Sequence, residues 1–183
     1  MKFLTVLLLL CISSIALAEK ESLPLESFNA NDENGELWSS KEHIGKKYLV
    51  VYFYPAAMTG GCTKQACSYR DDYQKFVDLG AEVVGVSADP VKNLKAFKKM
   101  HKLNFSLLSD VNGVIAARFG VPSRNGGAIT REIAGLSQVF SRSMSLSRWT
   151  FILDKEGRII YKNDKVKAAN DSAGILKVLA GLK

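Results

Sequence analysis

The chain is poor in the residues that build metal centres and disulfide frameworks, with three cysteines and two histidines in 183 residues. Cys11 falls inside an N-terminal apolar run, so only Cys62 and Cys67 belong to the body of the protein. Two cysteines and two distant histidines, His43 and His101, supply no zinc ligand set. Both histidines are expected at the surface or at an edge, and neither a metal nor a bound cofactor is expected. Internal repeats, low-complexity tracts and linkers are also missing, which excludes repeat arrays and leaves one domain. The longest apolar run, near the N-terminus, is too short to span a bilayer comfortably.

That run has its own reading. Met1–Ala18 (MKFLTVLLLLCISSIALA) carries one basic residue, Lys2, an apolar core from Phe3 to Leu10, and the small-residue pattern Ala16-Leu17-Ala18. This is the layout of a secretory signal peptide cleaved after Ala18. The mature domain is then expected to be Glu19–Lys183, periplasmic or secreted, with no stable membrane insertion after cleavage. Leu10 precedes Cys11 where a lipoprotein acceptor would follow a small residue, so Cys11 is expected to leave with the leader.

A formal net charge of +7 permits weak contact with nucleic acid or membranes without establishing either. The densest basic run is KNLKAFKKMHK, Lys92 to Lys102. Val91, Leu94, Phe97 and Met100 recur there at helical spacing, while the lysines occupy other faces. A solvated helix face explains the run. No aromatics interleave with the lysines as a single-strand binder needs, so no nucleic-acid partner is expected.

The elements alternate. Tyr48–Tyr54 is a continuous apolar run of strand length, as in a strand buried on both faces. A helix is expected from Thr63 to about Leu79, a strand over Glu82–Ser87, and a helix opened by Pro90. FSLLSD reads as a third strand, Asn112–Phe119 as a short helix, Thr150–Leu153 and Arg158–Tyr161 as a hairpin around DKEG, and Ser172–Leu182 as a closing helix. This order argues an α/β fold with a mixed central sheet flanked by helices. Ser123–Ser147, rich in Ser, Arg and Gly, reads as a long surface loop with local helix over ITREIAGLSQVF.

The stretch YPAAMTGGCTKQAC, Tyr54 to Cys67, places its cysteines at a spacing that is neither CxxC nor a zinc pattern. In an oxidising compartment a structural disulfide is the plain reading. Residues five apart on a helix are separated by about 7.5 Å of rise and about 140° of rotation. A disulfide wants its Cα atoms within roughly 7 Å and its Cβ atoms facing. Ala66, Tyr69, Tyr73, Phe76 and Val77 share the helical stripe of Cys62, while Cys67 points off it. The two can bond only if that turn unwinds. Cys62 stands in the first turn, where free N–H groups and the dipole favour a thiolate. Gly60 and Gly61 let backbone approach the sulfur, Thr59 adds a hydroxyl, and Pro55 fixes the chain as it leaves the strand.

Pro55, Thr59 and Cys62 match the P-x-x-x-T-x-x-C motif of the peroxiredoxins. The run FYPAAMTGGCTKQACSYRDDY resembles the peroxiredoxin Q branch, the bacterioferritin comigratory proteins. Similarity continues through VVGVSADPV, FSLLSDVNGVIAARFGV and SRWTFILDKEGRII, covering most of Leu23–Lys183. The resemblance implies a thioredoxin-like fold and a peroxidatic Cys62 that attacks the O–O bond and becomes a sulfenic acid. It implies a resolving Cys67 that condenses with that sulfenate to a disulfide, and a thioredoxin-like dithiol protein that reduces it. It also implies an active-site role for Arg148. A monomer or weak dimer is expected. AAMTGGC departs from the usual Thr-Pro-Gly-Cys, and the segment between Val121 and Arg148 is unlike its counterparts. The rival reading, a secreted thiol–disulfide oxidoreductase on the same fold, would normally place CxxC at this helix start.

Overall fold

The computed structural model describes residues 23–182, so the leader and the Glu19 boundary lie outside the described residues. Two short strands come first, β1 (Asn29–Asn31) and β2 (Leu37–Ser39). The apolar run forms β3 (Tyr48–Phe53), and helix α1 follows over Gly60–Asp71. Next come α2 (Tyr73–Asp78), β4 (Ala81–Ser87), α3 (Val91–His101), β5 (Ser106–Ser109) and α4 (Val114–Arg118). The chain then runs through β6 (Ser123–Ile133), β7 (Leu136–Leu146), β8 (Thr150–Leu153), β9 (Ile159–Asn163) and α5 (Asp171–Ala180).

Seven strands make one mixed sheet in the order β2-β1-β5-β4-β3-β8-β9. β3 runs parallel to β4, and β4 to β5, while β8 lies antiparallel to β3. The run YLVVYFY is apolar throughout because both faces of β3 are covered. Val50, Tyr52 and Tyr54 pack with Ala66, Tyr69, Phe97 and Ile175 on one side. Leu49, Val51 and Phe53 pack with Phe28, Ile115 and Phe119 on the other. Side chains alternate between these two cores at the strand period.

The expected helix from Thr63 to Leu79 is divided at Asp72, which closes α1 and precedes α2. Asp72 is pinned from two sides: its carboxylate accepts from Lys75 at 2.7 Å and from the Ser172 hydroxyl of α5 at 2.6 Å. The lysine-rich helix forms as expected with Leu94 and Phe97 buried, but Met100 is exposed.

The largest correction concerns Ser123–Ser147. Instead of a loop with local helix, β6 and β7 form an antiparallel hairpin of 11-residue strands, including the whole of Ile129–Phe140 apart from its turn. The turn is Ala134-Gly135, both left-handed, with φ of 51° and 78°. Paired left-handed residues suit the twist of a two-residue hairpin. Asn-Gly or Asp-Gly would have announced it; Ala-Gly does not. The strands are mostly exposed, so the apolar alternation that marks a half-buried strand is weak. Gly126 is obligatory, because a Cβ there would meet the Arg142 carbonyl oxygen at 2.2 Å. Phe140, fully buried in the main core with Ile129 and Ile133 beside it, fastens the hairpin to the domain. Burying a side chain of that size stabilises by about 1.5–3 kcal/mol.

Candidate active site

β3 ends in the core, Pro55 turns the chain, and Ala56–Thr59 leads it into α1. Ala57 and Met58 are buried, and Met58 adopts a left-handed φ of 64°. For a non-glycine residue that conformation costs on the order of 1–3 kcal/mol and persists only where its surroundings hold it. Thr59 takes the position preceding the helix in an extended conformation. Its hydroxyl donates to the Ala56 carbonyl at 2.9 Å, bracing the turn across its own base. Its carbonyl accepts the Thr63 amide at 2.8 Å, the first bond of the helix.

Cys62 sits in the first turn of α1 with 1 % of its surface exposed, on the stripe with Ala66 and Tyr69. Arg148, in the connection just before β8, reaches over to Cys62. Its Nη2 lies 3.2 Å from Cys62 Sγ, and its Nη1 donates to Gln65 Oε1 at 2.5 Å. A Cβ on Gly61 would lie 3.4 Å from that same Nη2, in van der Waals contact with the guanidinium. Gly60 has open space around it and makes no such approach.

The guanidinium is braced from behind. Gln65, fully buried on α1, accepts from Arg148 and donates from Nε2 to Asp171 Oδ2 at 2.7 Å. The same oxygen accepts from the Tyr69 hydroxyl at 2.7 Å and the Thr150 hydroxyl at 2.8 Å. Burial first, and then the Asp171 carboxylate, push the Tyr69 phenol well above its ordinary range, so it serves as a donor. A carboxylate at the start of α5 thus ties α1, β8 and α5 together behind the thiol.

Cys67 is free and half-buried, five residues further along the same unbroken helix, and Cys62 is free as well. Beside Cys67, Arg70 pairs with Asp71 at 2.8 Å and donates to the His101 carbonyl at 2.7 Å. Asp71, the larger influence, and the neighbouring Cys67 both hold the Arg70 guanidinium in its charged form. Of the two histidines, His43 bonds Glu82 at 2.8 Å and stacks on Trp38. Burial, then the Arg70 charge, keep His101 below the usual imidazole range. Neither histidine belongs to the site.

A cavity of about 400 Å³ opens against Pro55 and Arg148, with Trp149, Leu146, Arg124 and Lys165 among its walls. Five sequence candidates therefore divide. Cys62 and Arg148 are in direct contact, Thr59 and Pro55 shape the approach to them, and Cys67 stands apart. Gln65 and Asp171 were not foreseen. Gln65 lies three residues after Cys62, on its helical stripe, which was a usable signal; Asp171 left none.

A buried cysteine at a helix start, faced by an arginine from the segment that leads into a strand of the mixed sheet, defines a thiol-based redox protein of the thioredoxin-like class. The pattern that defines the AhpC/TSA family matches residues 22–162. The chain belongs to that family, on its peroxiredoxin Q/Bcp branch. It is 36% identical over 148 residues to peroxiredoxin Bcp of Bacillus subtilis (strain 168), covering 80% of this chain and 86% of that one. It is 40% identical over 153 residues to the chloroplastic peroxiredoxin Q of Suaeda salsa, covering 82% of this chain. The match spans only 63% of the length of that plant relative. Among solved structures, peroxidoxin BcpB of Mycobacterium tuberculosis superposes with a TM-score of 0.74 at 29% identity, covering 89% of this chain and 97% of its own. Peroxiredoxin Q of Xanthomonas campestris superposes at 0.69 and 27% identity, covering 84% and 90%. The rival oxidoreductase reading finds no support among these relatives.

Proposed function

We propose that the protein is a thiol-dependent peroxidase that reduces hydrogen peroxide and organic hydroperoxides. The observation that carries this reading is the Arg148 guanidinium 3.2 Å from a buried cysteine sulfur at a helix start. The guanidinium stands beside the sulfur and offers donors to the peroxide oxygens as charge develops. In support, the bacterioferritin comigratory protein of Xanthomonas campestris, 26% identical with a TM-score of 0.70, is described by its alkyl peroxide reduction activity.

In this reading the Cys62 thiolate attacks one peroxide oxygen and the O–O bond breaks. The departing oxygen takes a proton and leaves as water or an alcohol, and Cys62 becomes a sulfenic acid. The Cys67 thiolate, its proton given to solvent, then attacks the Cys62 sulfur. An S–S bond forms, the S–O bond breaks, and hydroxide leaves to become water. A thioredoxin-like dithiol protein restores both thiols and becomes a disulfide itself. Thr59 holds the turn that aims Cys62, and Pro55 walls the approach. Antioxidant defence by a monomer or weak dimer, exported after cleavage at Ala18, completes the proposal.

The test is stopped-flow mixing of the reduced protein with hydrogen peroxide and with an organic hydroperoxide. A rate that rises linearly with peroxide is expected. A thiol reacting no faster than free cysteine would overturn the proposal. For export, mass spectrometry of native material should find Glu19 at the N-terminus; Met1 or Lys2 retained contradicts it.

A further inference from the structure

The β6–β7 hairpin shares no strand pairing with the central sheet, yet β6 reaches the loop before Cys62 directly and β7 reaches it through Asp89. From β6, Arg131 Nε donates to the Met58 carbonyl at 2.9 Å. From β7, Arg142 Nε donates to Asp89 Oδ1 at 2.9 Å, and Asp89 Oδ2 accepts the Ala57 amide at 2.7 Å. Asp89 is fully buried, and the Arg142 side chain is 4% exposed. The remaining partners of that carboxylate, the Ser87 hydroxyl and the Asn93 amide, are neutral. Asn93 also donates to the Ser141 carbonyl of β7 at 3.0 Å. Two consecutive loop residues are thus tied to the hairpin, Met58 directly by Arg131 of β6 and Ala57 through Asp89, which Arg142 of β7 holds.

Met58 is the residue in the left-handed conformation, and the next residue, Thr59, begins the helix turn that carries Cys62. We propose that the hairpin is a clamp on this loop, and that Arg131, with Arg142 acting through Asp89, positions Cys62. The inference rests on the peroxidase reading for its kinetic consequences. The clamp holds the helical arrangement in which the thiolate meets peroxide, and the same arrangement keeps Cys62 and Cys67 from bonding. Loosening it therefore slows the first step and speeds the second. A side chain that only stabilised the fold would not move the two steps in opposite directions.

Arg131 is exposed, so Arg131→Ala should fold. Reduced full-length wild type and variant are mixed with hydrogen peroxide, and the peroxide-dependent and peroxide-independent phases are recorded separately. Arg131→Ala is expected to slow the first phase and speed the second, each by about threefold to tenfold, as loss of one partly exposed hydrogen bond implies. Arg131→Lys should recover part of both changes. Amide exchange at Thr63, Lys64 and Gln65 in the reduced variant should rise by a similar factor, with or without peroxide. Arg142→Lys, which keeps a cation beside Asp89, should show the same signs with smaller size. Unchanged phases, or both phases falling together, overturn the clamp. If wild type shows no peroxide-dependent phase while exchange still rises in Arg131→Ala, the peroxidase reading fails and the clamp stands.

Discussion

Cys62 and Cys67 belong to the same helix, and their surroundings have almost nothing in common. Cys62 is sealed at the first turn, with a cation 3.2 Å from its sulfur. That cation is held in turn by Gln65 and, through it, by a carboxylate that accepts three hydrogen bonds on one oxygen. Cys67 stands mid-helix and half-buried, and its nearby arginine is already engaged with Asp71 and the His101 carbonyl. The difference teaches that position sets what each thiol can do. The first has a braced guanidinium against its sulfur and little room to move; the second is partly open to solvent beside an arginine it shares with Asp71 and the His101 carbonyl.

The widest separation between the two should appear on deletion. Cys62→Ser is expected to abolish peroxide turnover, measured as peroxide consumption with excess dithiol. Retention of more than about a tenth of the wild-type rate would end the distinction. Next in size, Arg148→Ala should slow the peroxide step by roughly 10²–10³, and Thr59→Val, which loses the bond that braces the turn, by up to about tenfold. Alkylation of Cys67 by iodoacetamide should stay within about twofold, since neither residue touches it. A loss below about threefold would return Arg148 to an ordinary strand-edge role. Gln65→Leu should cost about tenfold in the same step, because Arg148 loses one partner and Asp171 one donor. An unchanged rate would show that the guanidinium needs no brace. The smallest effect should come from Cys67→Ser. Its first equivalent of peroxide should be consumed within about twofold of wild type, after which the protein stalls as sulfenate or overoxidises. Sustained turnover with the same dithiol protein would remove Cys67 from the cycle.

Much of this contrast was legible in the sequence. The stripe of Ala66, Tyr69, Tyr73, Phe76 and Val77 placed Cys62 inward and Cys67 off it; Ala66, Tyr69 and Phe76 are fully buried, while Tyr73 is half-buried and Val77, beyond the break at Asp72, is exposed. The sheet strands of the central core announced themselves through apolar runs. What escaped was set by long-range partners. Asp72 looks like any helix-surface acid until Ser172, a hundred residues away, is seen to fix it. β1 and β2 are three residues each and carry too little pattern to read. The β6–β7 hairpin hides because its strands are mostly polar and solvated, and because its anchors are a few scattered apolar residues, Phe140 and Leu146 above all, and arginines whose carboxylate and carbonyl partners lie in distant loops. Asp171 was invisible for the same reason: its three donors come from α1 and β8.

The central claim is that one continuous helix keeps the two thiols apart, so that oxidation must open its first turn. Hydrogen exchange on the oxidised and reduced forms, compared amide by amide, tests this most directly. The Thr63 amide, which bonds the Thr59 carbonyl at 2.8 Å in the described state, and its neighbour Lys64 should be protected when reduced. Once the Cys62–Cys67 bond has formed they should exchange at close to the rate of an open chain, while Tyr69 and the strand amides of β3 stay protected. A disulfide formed with that turn still fully protected would contradict the claim.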